Sequence, residues 1–238
     1  MKKLLIIGIA LFAFPLFAFA RQVQFLQLHF YSNPLVTAYY PANGNGTDYI
    51  HGENLSATGG VSYATAYFGQ GFSLPGSGNN YFSVANSAYT TFTNTFSVSA
   101  WGKTSTNNNV LLENGVFYLQ YGGDGTKANV MCFFLRGTSV GWSCGNATVD
   151  DGKWHFFVAT YNGSTKYLYV DGVLDNSFSA TGNMAAPSGN FYIGYRPDNT
   201  AETMNGLIDD VEFASTTWSA ADVARMYSSR SLDSGISR

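Results

Sequence analysis

Asp210 and Glu212 are two residues apart within the apolar-rich stretch 207–213, so on an extended strand they share one face. Two acids on one face are the machinery of glycoside hydrolysis: one protonates the leaving oxygen, the other attacks or activates water. The other glutamates, Glu53, Glu113 and Glu202, stand in turn-like contexts. On sequence alone Asp210 and Glu212 read as solvated strand carboxylates rather than a catalytic pair. His29, His51 and His155 are scattered and lack the paired spacing of zinc ligands. There is no Gly-x-Ser-x-Gly elbow, no phosphate-binding Gly-Lys-Ser/Thr loop and no reactive-cysteine context.

Aromatic side chains offer a second chemistry. Ring faces hold the apolar C–H surface of sugars, while amide, carboxylate and guanidinium groups read the hydroxyls. The chain has 16 tyrosines and 4 tryptophans, most of which must fill a core. Tyr118, Tyr121, Trp142, Tyr195 and Arg196 lie in or beside hairpins and are the candidates for a ligand face. Cys132 and Cys144 are the only cysteines. A hairpin centred on Thr138 pairs Phe134 with Trp142 and Cys132 with Cys144, all four on one face. That geometry predicts a disulfide.

The elements that must position these groups are strands. Alternating segments recur at 96–101, 116–121, 130–135, 154–161, 167–171, 191–195 and 207–213, punctuated by turn dipeptides such as Asn162-Gly163 and Asp171-Gly172. About a dozen strands in one chain argue for two packed sheets or a barrel. One short C-terminal helix is expected: Ser219 caps it, Asp222 completes a capping box, and Val223, Met226 and Tyr227 make an apolar stripe.

The ends bound the setting. Residues 1–20 combine Lys2 and Lys3, an apolar run from Leu4, and the small-x-small site Ala18-Phe19-Ala20, which reads as a signal peptide, the alternative being an uncleaved anchor. Either way the rest of the chain is exported, to a secreted, extracellular or cell-surface location where a disulfide persists. No second run of spanning length follows, so no membrane span is expected in the mature chain. Loss of the two lysines takes the formal charge from −3 to −5, which disfavours a nucleic-acid partner. Charged residues make up 11%, against about 25% in ordinary soluble proteins, so the surface is built from Asn, Ser, Thr, Gly and Tyr. Residues 21–33 form a separate piece, read as an extra edge strand, a disordered lead-in, or a segment for self-association with a neighbouring subunit.

Several segments in order resemble the laminin-G-like, concanavalin A-like lectin/glucanase jelly rolls. The centre is Asp150-Asp151-Gly152-Lys153-Trp154-His155-Phe156-Phe157-Val158-Ala159-Thr160-Tyr161-Asn162-Gly163, followed by Leu168-Tyr169-Val170-Asp171-Gly172-Val173, Tyr192-Ile193-Gly194, Gly206-Leu207-Ile208-Asp209-Asp210-Val211 and the helix from Trp218. Upstream, 38–44 resembles the opening strand and 68–74 a following one. The resemblance implies an all-β, two-sheet antiparallel β-sandwich over 34–230, with 231–238 as a tail. It implies a structural Ca²⁺ held by Asp48 and Asp209, although Tyr49-Ile50-His51-Gly52 departs from the family's usual loop. It also places Trp101 and Trp154 in core strands. The Glu-x-Asp-x-x-Glu strand of related glucanases is absent. The resulting expectation is a non-catalytic module that binds a glycan or a glycosylated extracellular partner. The alternative is an adhesive surface protein self-associating through 21–33, and the third reading is a glycoside hydrolase.

Overall fold

The computed structural model describes residues 36–233, apart from 88, 91, 93, 124–126 and 188. The leader and the 21–33 segment lie outside the described residues. Fifteen strands and one helix follow in order: β1 (Val36–Tyr40), β2 (Ser56–Thr58), β3 (Ser62–Thr65), β4 (Gln70–Pro75), β5 (Tyr81–Ala85), β6 (Phe96–Lys103), β7 (Val110–Glu113), β8 (Phe117–Tyr121), β9 (Val130–Leu135), β10 (Trp142–Thr148), β11 (Trp154–Tyr161), β12 (Thr165–Val170), β13 (Val173–Ser179), β14 (Asn190–Ile193), β15 (Asn205–Ala214) and α1 (Ala220–Asp233). They form two antiparallel sheets, the expected sandwich. The first runs β13-β12-β11-β6-β15-β4-β3, with β1 also on β15; the second runs β10-β9-β8-β7-β14-β5-β2.

Turn chemistry sets the hairpins. Asp171 and Gly172 both have positive φ, 51° and 82°, the twist a two-residue hairpin needs between β12 and β13. The β9–β10 hairpin has the register read from the sequence, with Trp142 opposite Phe134 and Cys144 opposite Cys132. The two cysteines form a disulfide.

Period-2 alternation sends one set of side chains inward from each sheet. Phe72, Val98, Phe157, Leu168 and Phe213 of the first sheet meet Phe82, Leu119, Phe133 and Ile193 of the second in one buried cluster. The first sheet's outer face is covered too: Trp101, Phe156, Val158 and Tyr169 pack with Trp218, Val223 and Met226 from the α1 region. The helix starts as expected, with Asp222 N–H donating to Ser219 Oγ at 3.2 Å and Ser219 N–H to Asp222 Oδ2 at 2.9 Å. It continues through Asp233, three residues into the expected tail.

Asp210 and Glu212 are not solvated. They are 3% and 0% exposed. Asp210 sits at φ 49° where the β15 register shifts between Asp209 and Glu212, so the pair does not follow simple strand alternation. Tyr39 OH donates to Asp210 Oδ1 at 2.6 Å, and Glu212 lies between Tyr39 of β1 and Ser99 of β6. Sequence periodicity missed this because a bulge leaves no compositional mark. No helix among the described residues is long and apolar enough to cross a membrane.

Candidate functional site

With the first sheet's outer face occupied by helix packing, the second sheet's outer face remains. Cross-strand pairing lays one continuous row over all seven of its strands: Ser56, Ser83, Tyr192, Glu113, Tyr118, Phe134 and Trp142. The neighbouring row holds Val110, Gln120, Cys132 and Cys144. Both rows alternate with the inward-facing residues of the core, which is why all these side chains share one surface.

Rings cover most of it. Tyr81 stacks on Tyr195 at 4.6 Å and meets Tyr192 edge-on at 5.2 Å. Tyr118, Phe134 and Trp142 form a second group, with centroids 5.0–6.1 Å apart. Arg196 joins the two groups, being next in sequence to Tyr195 and lying 4.4 Å over the Tyr118 ring. Glycines seat the outermost rings: a Cβ at Gly123 would come within 2.4 Å of Trp142, and one at Gly141 within 2.8 Å of Phe134. The disulfide braces the strand pair that carries these two rings.

The candidates read from the sequence separate here. Trp142 is half-buried and presents its ring on this face. Tyr118 and Tyr195 lie on it but are 2% and 6% exposed, shielded by their neighbours, with Tyr195 OH donating to Asn79 Oδ1 at 3.0 Å. Arg196 is paired with Asp198 at 2.6 Å and Glu202 at 2.7 Å. Tyr121 is not on the face. It points into the core at 0% exposure, because strand parity puts it opposite to Tyr118 and Gln120.

Four participants were not legible as site residues: Glu113, Gln120, Arg136 and the half-buried ring of Tyr192. Glu113 looked like a turn acid, yet it is 1% exposed at the centre of the row. Its Oε1 accepts the Gly115 N–H, and its Oε2 has no hydrogen-bond partner. Burial first, then the nearby Asp198, pushes its carboxyl up to about 7 against the Gly115 amide, Arg196 and Arg136. The dipeptide Asn114-Gly115 was the signal: Gly115 turns at φ 83°, and Asn114 Oδ1 receives the N–H groups of Val116 and Phe117, which fixes Glu113 opposite Tyr118. Gln120 is fully buried, with neither amide atom partnered. Such groups each cost about 1–3 kcal/mol, so two on one face mark it as selected for something besides stability.

Arg136 is exposed at the tip of the β9–β10 hairpin and donates to Tyr118 OH at 3.2 Å. It makes no ion pair among the described residues. Asp198, by contrast, is held below its ordinary range, against burial, by its bonds to Arg196.

The carboxylates expected to hold calcium face backbone amides. Asp48 Oδ1 accepts from Tyr39 and Ile50 at 3.0 Å, and Oδ2 from His51 at 3.0 Å and Glu53 at 3.4 Å. Asp209 accepts from Phe68 at 2.9 Å and Asp210 at 3.0 Å. Among the described residues no group of three or more His, Cys, Asp or Glu stands together as a metal ligand set. A cation at Asp48 would share its carboxylate with these amides.

The sandwich and its buried faces agree with a sequence match: the family model of the concanavalin A-like lectin/glucanases superfamily, of laminin-G type, matches residues 76–224. The chain belongs to the concanavalin A-like lectin/glucanase superfamily. No curated protein matches the sequence. Among solved structures, domain 4 of AbnA, a GH43 extracellular arabinanase from Geobacillus stearothermophilus in complex with arabinotriose, is 16% identical with a TM-score of 0.63, over 81% of this chain and 98% of that one. The binding domain of Paraclostridial Mosquitocidal Protein 1 is 14% identical with a TM-score of 0.65, over 82% and 52%. A structure of botulinum neurotoxin type C, whose cell entry is dependent upon interaction with two ganglioside molecules, is 18% identical with a TM-score of 0.61, over 83% and 52%. The chain thus spans about half the length of the two toxin chains. At these identities the likeness is one of fold. Within the superfamily both binding and hydrolytic members occur, so the ring-lined face has to carry the functional reading.

Proposed function

We propose that this lectin/glucanase-superfamily protein is a non-catalytic carbohydrate-recognition module, exported to the cell surface or beyond, with its ligand on the outer face of the second sheet. One observation carries the reading: a row of rings and buried polar groups runs unbroken from β5 to β10, across six of the second sheet's seven strands, while the opposite sheet's outer face is occupied by core-like packing. Half-buried Trp142, Phe134, Tyr192 and Tyr81 are platforms for sugar rings. Binding without chemistry is supported by the surroundings of Glu113. Its neighbours along the row are Tyr192 and Tyr118, and Asp198 and Glu202 are tied to Arg196. The acid that acts on Glu113, Asp198, is engaged in an ion pair with Arg196 rather than free as a catalytic partner. A solved neighbour in complex with arabinotriose and another whose cell entry depends on two ganglioside molecules are consistent with a glycan partner.

A glycan array on the full chain, beside Trp142→Ala and Tyr192→Ala, tests this. Signals that fall at least about tenfold in both variants are expected, as for loss of a ring contact and its rim. An array blank for the folded wild type sinks the reading.

A further inference from the structure

We propose that the sugar taken by this face carries a carboxylate, of the uronic or sialic type, paired with Arg136 while the sugar ring lies on Trp142 and Phe134. The inference rests on the carbohydrate reading and names the class of sugar.

The argument is one of charge. Two guanidinium groups serve the face. Arg196 is spent: its ion pairs with Asp198 and Glu202 more than neutralise it and pin it over Tyr118. Arg136 is exposed, hydrogen-bonded only to a neutral phenol, and has no ion pair among the described residues. Its planar fork suits a carboxylate, to which it can donate two parallel bonds. The rings beside Tyr118 are the half-buried Phe134 and Trp142, so the cation adjoins one of the two aromatic groups of the face. An anion and a sugar ring placed together match that pair of features, whereas a neutral sugar leaves the guanidinium unused.

Glu113 adds a second, independent observation. It is a buried carboxyl with one unpartnered oxygen, between Tyr192 and Tyr118 in the same row. The charged and titratable groups around it are Arg136, Arg196, Asp198, Tyr118 and Tyr192. Asp198 and Glu202 exceed Arg196 by one negative charge, which Arg136 offsets; an incoming anion then meets one further negative charge when Glu113 ionises. Its carboxyl titrates at about 7. An anionic ligand therefore binds more tightly on the acid side of neutrality. A like charge several ångströms away, at an effective dielectric constant of roughly 40, corresponds to about a fivefold effect.

The test is titration calorimetry with oligosaccharides of equal length, one of neutral hexoses and one of hexuronates, at about pH 5.5 and about pH 8, on either side of the Glu113 transition. The hexuronate is expected to bind about tenfold or more tightly than the neutral chain, the worth of a charge-assisted bidentate contact. It should bind about fivefold better at the lower pH. Arg136→Gln should erase the preference for acid. Glu113→Gln should keep the preference and remove the pH step. Matched melting temperatures for Arg136→Gln would exclude a folding defect, and Arg136→Lys should restore part of the preference. Equal binding of both oligosaccharides, or an acid preference that survives Arg136→Gln, overturns the inference and leaves the carbohydrate reading standing. Failure of both oligosaccharides and of the array overturns that reading as well.

Discussion

Replacing Glu113 by Gln should stabilise this protein, and only above the acid range. The native carboxyl titrates at about 7 against an ordinary value of 4.5. A raised carboxyl pKa means the native state holds its proton longer than the unfolded chain. Its contribution is intact below the unfolded pKa and is lost as pH rises through the folded one. The shift of about 2.5 units, at about 1.36 kcal/mol per unit, makes the ionised group cost roughly 3 kcal/mol above neutrality. Gln keeps the shape and the acceptor for the Gly115 N–H but cannot ionise. At about pH 4.5 the two proteins should melt together; at about pH 8 the variant should melt roughly 6 °C or more higher, at about 2–4 °C per kcal/mol for a chain of this size. Thermal unfolding followed by circular dichroism across that range reads the difference directly. A constant difference, or one that shrinks toward alkaline pH, would refute a buried carboxyl with a raised pKa.

Lys166 should show the same pH sense as ordinary acid denaturation, displaced to alkaline pH. It points inward from β12 and donates to the carbonyls of Phe133, Val140 and Gly141 at 3.3, 3.0 and 2.7 Å, and burial pulls its pKa down to about 7. Because the unfolded chain then binds the extra proton, wild-type stability should rise between about pH 7 and pH 9.5, by at most about 4 kcal/mol. Lys166→Met should lose that rise, and a variant that keeps it would place the dependence elsewhere. Reduction of Cys132–Cys144, which closes a loop with a sequence separation of 12, should cost about 2–3 kcal/mol and be seen as a lower melting temperature with dithiothreitol. Calcium or a chelator should leave the melting temperature unchanged, since Asp48 already receives four amide bonds, whereas Asp48→Ala should destabilise by about 3 kcal/mol or more. A melting temperature that rises with calcium would support the calcium site that the family resemblance implies.

Much of the fold could be read from alternation and turn chemistry. The limits of β9 and β11, the register about Thr138 and the Ser219–Asp222 cap are local properties, and they stand as expected. The site was legible only in part. Trp142 and Tyr118 were recognised as hairpin aromatics, but which of them faces out depends on strand parity, and parity placed Tyr121 in the core. Glu113 could be found only by pairing β7 with β8 around Asn114-Gly115, a non-local register that no single strand reveals. The state of Arg136 and Arg196 depends on which carboxylates fold beside them, a fact of tertiary structure. The bulge that buries Asp210 and Glu212 is likewise invisible in composition.

The central claim is that a sugar lies on the ring-lined face of the second sheet. The four tryptophan indole N–H signals report on it independently, because Trp142 is on that face, Trp101 and Trp218 are buried under the helix, and Trp154 packs beside them. Titrating a bound oligosaccharide into isotopically labelled protein should shift the Trp142 signal progressively and leave those of Trp101 and Trp218 in place. A titration that moves the other tryptophans while Trp142 stays fixed would contradict the account.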